Sequence, residues 1–335
     1  MTRRVAVLER ARSGGTIYAA LFAVAVAVMI WTVLRTAYAL QDIAFRRAVA
    51  DLFTAMLAAG TLYLASHFVR IARLALIASD ARLSLRTLSR VHLFTSAVGL
   101  ALPFKLGDAY RAVELSALVG GPVRGITMVV VERLCDVSVI LLLLVVASSL
   151  GPSTGEGYAP VLFASLAFVL AILVATTLLP DNLRRIGTYI IRRHTGDWTV
   201  YALRRIAHVR AVIFEAMSML NGRLASLFAF TLLIWMLEAT SLAIVFATGA
   251  AGFRPLETLL AFLSSITEGS TLPGRLSPEQ LSAMPTSFAA YLAATQVPLV
   301  FIGLAAGTTL MIDRLRVRPS VHHRAIGAPG SGRQT

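Results

Sequence analysis

Two clusters of charge interrupt the apolar sequence of this 335-residue chain, at spacings that suit anion binding. The first is Lys105, Asp108, Arg111 and Glu114. The last three are three residues apart, so they share one helix face and can pair. The second is Glu132, Arg133 and Asp136. Glu132 and Asp136 are about one turn apart and face the same way, with Arg133 offset from Glu132 by about 100°. A charge at the centre of a membrane helix costs about 2.5–3.5 kcal/mol, so both clusters need a reason to exist.

Two reasons are open. In the first, Lys105, Arg111 and Arg133 contact the phosphate of a lipid head group, while Asp108, Glu132 and Asp136 orient those bases. Arginine's planar fork suits bidentate phosphate contact. In the second, the charges pair only with one another and lock the bundle. Apolar residues would do that at lower cost, which favours the head-group role. A sparser set follows later in the chain: Glu238, Glu268, Arg275 and Glu279. Arg275 is a further head-group candidate. Glu238 and Glu268 are candidates for coupling through protonation, set against the commoner role of hydrogen-bonding a neighbouring helix.

Other chemistry is not signalled. The chain has no G-x-x-x-x-G-K-[ST], H-E-x-x-H or G-x-S-x-G motif, so no enzyme activity is expected. The lone Cys135 lies in an apolar run and has no internal disulfide partner. His67 and His92 flank a basic stretch and read as interfacial. His322 and His323 sit in a polar tail and read as solvated. No metal and no cofactor is expected.

The elements that would position these residues are membrane helices. Hydrophobic residues make up 57% of the chain and charged residues only 14%, against roughly a quarter charged in ordinary soluble domains. Mean hydropathy is +0.76. The formal charge is +14, and Lys105 is the sole lysine among 31 basic residues. The bases lie between apolar runs, which fits membrane loops and excludes a nucleic-acid surface.

Apolar runs fall near 16–37, 52–69, 126–150, 158–179, 225–250 and 285–312, each of a length to cross a bilayer core of roughly 30 Å. The first exceeds the ~7–15 residues of a signal-peptide core and reads as an uncleaved span. Two more stretches, 91–118 and 256–284, are apolar but broken. Basic residues number four in 1–15, two in 38–51, five in 70–90, one in 119–125, none in 151–157, eight in 180–224, one in 251–255 and five from 313 onward. The positive-inside rule then places 1–15, 70–90, 180–224 and the tail in the cytoplasm. The stretch 91–118 must begin and end inside, and 256–284 must begin and end outside. Each is too short to cross twice, so each is expected as a re-entrant helical hairpin.

The breaks agree. The first hairpin turns at Pro103 and Gly107, the second at Pro273 and Gly274. Proline removes an amide donor and clashes inside a helix, and glycine accepts tight-turn geometry. The expected fold is therefore an all-α integral membrane protein with about six transmembrane helices and two re-entrant hairpins in an inverted repeat, an architecture of secondary transporters. A cytoplasmic N-terminus (1–15) precedes a first repeat (16–150). A second repeat (151–312) includes the cytoplasmic loop 180–224, expected as an amphipathic helix on the membrane surface. Residues 313–335 are expected as a disordered cytoplasmic tail.

Pro103-Phe104-Lys105-Leu106-Gly107-Asp108-Ala109-Tyr110-Arg111-Ala112, followed by Val131-Glu132-Arg133-Leu134-Cys135-Asp136, resembles the transmembrane region of lysylphosphatidylglycerol synthases. That family carries a P-x-x-x-G-[DE] hairpin with a following Arg, then a V-x-E-R-x-x-D span. The resemblance covers about 15–312. A third family motif, P-G-G-x-G followed by Glu, is partly met at Pro273-Gly274-Arg275-Leu276-Ser277-Pro278-Glu279. Two glycines are replaced and Glu279 falls about one position early, which fits either a diverged substrate or a lost activity. The resemblance implies a cell-membrane protein that flips a polar lipid, anionic or zwitterionic, between leaflets. The alternative is a non-transporting subunit that anchors or regulates a lipid- or glycan-modifying enzyme. The partners implied are membrane lipids and no nucleic acid. The family's separate synthase domain has no counterpart in this sequence.

Overall fold

The computed structural model describes residues 43–81, 83–102, 106–150, 178–193, 196–249 and 286–316, with scattered single positions between 20 and 34 and between 163 and 174. The described residues form helices α1 (Ile43–Ile77), α2 (Leu85–Ala101), α3 (Leu106–Val119), α4 (Pro122–Leu150), α5 (Leu179–Arg193), α6 (Asp197–Leu220), α7 (Leu224–Gly249) and α8 (Thr286–Arg316). Pro103, Lys105 and the second hairpin, with Glu268, Pro273, Gly274, Arg275 and Glu279, lie outside the described residues. So do the tail from 317 and most of the stretches 16–37 and 158–179.

Three helices are long and apolar enough to cross a membrane among the described residues: Ala50–Ile77, Leu224–Thr248 and Ala290–Asp313. They form the centre of the bundle. α1 and α7 run antiparallel, since Ala59 meets Ser241, Ser66 meets Glu238 and Arg73 meets Thr231. α2 and α8 are also antiparallel, because the sites facing Gly303 and Gly307 on α8 are Ala97 and Phe94. A Cβ on Gly303 would stand 2.3 Å from that of Ala97, so glycine is what allows the two helices to approach this closely.

α2 and α3 form a helical hairpin. Gly99 faces Gly107, Phe94 meets Tyr110 edge-on with ring centroids 6.0 Å apart, and His92 meets Arg111. Ser84 caps α2 by accepting from the Thr87 amide at 3.2 Å. Near the turn, a Cβ on Gly107 would lie 2.3 Å from the Gly99 Cα, so this contact of backbones excludes any side chain.

The hairpin's two outer ends meet. Asp80, just before α2, accepts from Arg223 at 2.7 Å and lies 3.9 Å from Arg124, just after α3. Arg124 also pairs with Glu215 on α6 at 3.3 Å. Arg90 near the start of α2 pairs with Asp313 near the end of α8. The 78–84, 120–121 and 221–223 connections thus converge on one end of the bundle, the Asp80 end. The Arg223 guanidinium holds the half-exposed Asp80 carboxyl below its ordinary value of 3.8.

The loop 180–224 contains two helices where the sequence predicts one. In α5, Gly187 and Ile190 face inward while Arg184, Arg185, Arg192 and Arg193 are exposed. α6 follows after Gly196, and its last turns bury Ile213, Ala216 and Met219 against the start of α4.

Two apolar clusters build the core. One, toward the Asp80 end, holds Leu74, Ile77, Leu88, Phe94, Met128, Met219 and Leu227 among others. The other holds Leu52, Ala59, Val139, Trp235, Leu242 and Tyr291. Along α1 the first begins at Leu74 and the second ends at Ala59. Between them α1 turns Ser66, His67 and Arg73 into a buried polar layer, with Arg70 beside them, and that layer is the candidate site.

Candidate functional site

Arg73 stands at the centre of that polar layer with 1% of its surface exposed. It donates to Asp136 Oδ1 at 2.6 Å and to Thr231 Oγ1 at 2.9 Å, and it lies 3.7 Å from Glu132. α1 carries it there because Ser66, Arg70 and Arg73 follow the i, i+4, i+7 spacing of one helix face. Arg70, one turn earlier, donates to Glu238 at 2.6 Å, and Ser66 donates to the same oxygen at 2.9 Å. α1 therefore binds α4 and α7 through buried charge.

α3 and α4 complete the layer. Arg111 donates to Glu132 at 3.0 Å and lies 2.9 Å from His92 Nδ1. Arg133 donates to Asp108 at 2.7 Å and to Asp136 at 3.1 Å. Glu132 and Asp136 do face the same way, as their shared partner Arg73 requires. In this network Arg70, Arg73, Arg111 and Arg133 stand against Asp108, Glu132, Asp136 and Glu238, and Glu114, one turn beyond Arg111 on α3, is buried as well. Such pairing is what makes buried charge tolerable, because an unpaired ion in this setting would cost several kcal/mol.

Burial is graded across the set. The side chains of Arg73 and Glu132 are 2% and 1% exposed, and that of Arg111 is 7%. Arg133 and Asp108 reach 36% and 27%. The network is closed at Arg73 and open at the Arg133–Asp108 pair. Arg133 also keeps its Nε hydrogen without a hydrogen-bond partner among the described residues, as do Arg73 and Arg111. That nitrogen is buried in all three, so what sets Arg133 apart is the exposure of its outer guanidinium and not a spare donor.

Of the residues expected from sequence, Asp108, Arg111, Glu132, Arg133 and Asp136 come together here. Glu238 joins through Arg70 as an ion-pair partner. Gly107 is at the hairpin turn. Arg70 and Arg73 were counted with a loop, but the apolar residues Ile71, Leu74 and Ile77 continue the helical pattern and carry α1 through them. That removes two bases from the connecting segment and adds them to the core. His67 and His92 are not interfacial: they are 5% and 1% exposed and stand against each other, Nδ1 to Nε2, at 3.1 Å. The one available signal was that His67 shares a helix turn with Ser66 and Arg70.

The family model for the lysylphosphatidylglycerol synthase TM region matches residues 17–276. The chain belongs to that family. No match was found among curated proteins or among solved structures. Family membership makes this an integral membrane protein related to lipid modification or transport. Both motifs that carry the likeness fall within the charged layer: Gly107, Asp108 and Arg111 on α3, and Glu132, Arg133 and Asp136 on α4.

Proposed function

We propose that the protein moves a lipid with an anionic or zwitterionic head group between the leaflets of the cell membrane, with the Arg133–Asp108 pair as the point where the head group enters. The observation that carries this is the graded burial. A purely structural lock gains nothing from an open end, whereas a head-group site needs one. A phosphate at Arg133 would compete with Asp108 for the exposed end of the guanidinium. Arg111 behind it would supply the next contact. Arginine's fixed fork suits both steps.

The α2–α3 hairpin supports the same function. Its arms of 17 and 14 residues measure about 25 and 21 Å at 1.5 Å per residue. Each falls short of a bilayer core of roughly 30 Å, so the pair enters the membrane and returns. Its ends lie at the Asp80 end, which is the cytoplasmic one in this reading. The second hairpin, 256–284, would enter from outside and present Arg275, with Glu238 and Glu268 as coupling groups. No covalent step is needed, and none is assigned.

The test is lipid movement by the full-length protein in vesicles. Arg133→Ala and Arg111→Ala should each abolish it while the purified variants stay folded. Normal movement by both variants would remove the head-group role. Co-purification with a lipid- or glycan-modifying enzyme, together with indifference to both changes, would favour an anchoring subunit instead.

A further inference from the structure

His67 and His92 are the buried titratable groups that the head-group site leaves unused. Their protonation state follows from their partners. The Arg111 guanidinium can only donate, so His92 Nδ1, 2.9 Å away, accepts. A ring with a bare Nδ1 is neutral and carries its hydrogen on Nε2. That Nε2 lies 3.1 Å from His67 Nδ1, which therefore accepts in turn. His67 then holds its own hydrogen on Nε2, which has no partner among the described residues. The chain Arg111 to His92 to His67 runs in one direction and leaves both rings uncharged.

The neighbours fix what can change. From α1, His67 is flanked by Tyr63, edge-on at 5.0 Å, and by Arg70, with Arg73 further along. α3 contributes Arg111, α4 contributes Glu132 and Asp136, and α7 contributes Glu238 through Arg70. α8 contributes Tyr291, near Glu238 and Tyr63, while its Asp313 is taken by Arg90 at the Asp80 end. Among these, Arg111 alone holds a histidine nitrogen directly. A proton on His92 Nδ1 and the Arg111 contact are mutually exclusive.

We infer that the His67–His92 pair is a proton-binding site that takes up one proton when Arg111 turns from His92 to a head-group phosphate. This rests on the head-group reading above. The phosphate adds negative charge to a layer that already buries several carboxylates, Glu114 on α3 among them. The vacated His92 Nδ1 is the acceptor that opens at the same moment, and a proton there offsets the added charge. Burying a neutral pair of ions costs far less than burying either alone. Lipid entry and proton entry are thereby linked.

Nitrogen-15 NMR of histidine in the full-length protein in a non-ionic, phosphate-free detergent tests the site without any lipid substrate, with His92 assigned by its loss in His92→Gln. In the wild type His92 is the neutral Nε2–H tautomer. In Arg111→Ala it becomes an imidazolium on acidification within the range where the protein stays folded. An imidazolium or an Nδ1–H tautomer in the wild type at neutral pH overturns the inference, as does no charge change in Arg111→Ala. If Arg111→Ala does not fold, His92→Gln decides. Its amide oxygen still accepts from Arg111 but does not titrate in this range. An imposed pH gradient should change lipid movement several-fold in wild-type vesicles and leave the rate of His92→Gln unchanged. Equal responses overturn the coupling. Absence of lipid movement in the wild type counts against the head-group reading, while the NMR result still decides the proton site.

Discussion

Arg73 and Arg133 are both arginines in contact with Asp136, yet their surroundings assign them different work. Arg73 is sealed between α1, α4 and α7. Its removal leaves Asp136 and Glu132 short of a cation inside the bundle, so Arg73→Ala should cost about 3–5 kcal/mol. Thermal unfolding in detergent will show it as a large fall in midpoint. Arg133 is about one-third exposed, and water can replace much of what it provides. Arg133→Ala should therefore lower stability by no more than about 1 kcal/mol while abolishing lipid movement. Equal destabilisation by the two would mean that Arg133 is also part of the lock. At this scale the sequence was informative where charges interrupt an apolar run, as at Asp108, Arg111, Glu132, Arg133 and Asp136. It was uninformative at Arg70, Arg73, His67 and His92. Arg70 and Arg73 follow the apolar run 52–69, His67 lies near its end and His92 is on the next helix, and the burial of all four depends on partners on other helices that no local pattern reveals.

The α2–α3 hairpin was legible as an element because Pro103 and Gly107 break an otherwise helical stretch and the basic residues require both ends on one side. Its closure was not, since the Gly99–Gly107 contact joins residues on different arms. Gly107→Ala forces a Cβ to 2.3 Å from the Gly99 Cα, so the arms must separate. Overpacking of this kind costs about 1–3 kcal/mol, and the same melting measurement should register it. The ends of the hairpin carry a separate prediction. Arg223 lowers the Asp80 carboxyl below 3.8, first through its hydrogen bond. A depressed carboxyl stabilises above its unfolded value and loses that contribution as pH falls through the folded value. The tie between 79–81 and 221–223 should thus persist through neutral and mildly acidic pH and fail only below about pH 3.8. Amide exchange at 221–224 should report it, with Asp80→Asn showing the fast exchange at neutral pH. Faster exchange already at mildly acidic pH would contradict the Arg223 pairing.

Across the molecule, three connections and the end of α8 meet at the Asp80 end. The charge pattern alone placed the same segments on one side. Two helices where one was expected in 180–224 reflect a division that charge counting does not register, because the count runs across both helices alike. Cysteine labelling follows from the whole arrangement: single cysteines at Ser79, Gly120 and Asn221, in a protein lacking Cys135, should all react from the same side of sealed vesicles. Labelling from opposite faces would break the convergence.

The central claim is that a lipid head group stands between α3 and α4. A phosphate lipid with a photo-crosslinker in its head group, supplied to the full-length protein in vesicles, tests it directly. The crosslinks should map to the peptides holding Asp108 and Arg133 and be lost in Arg133→Ala. Crosslinks confined to the outer faces of α5 and α6, or unchanged by Arg133→Ala, would contradict it.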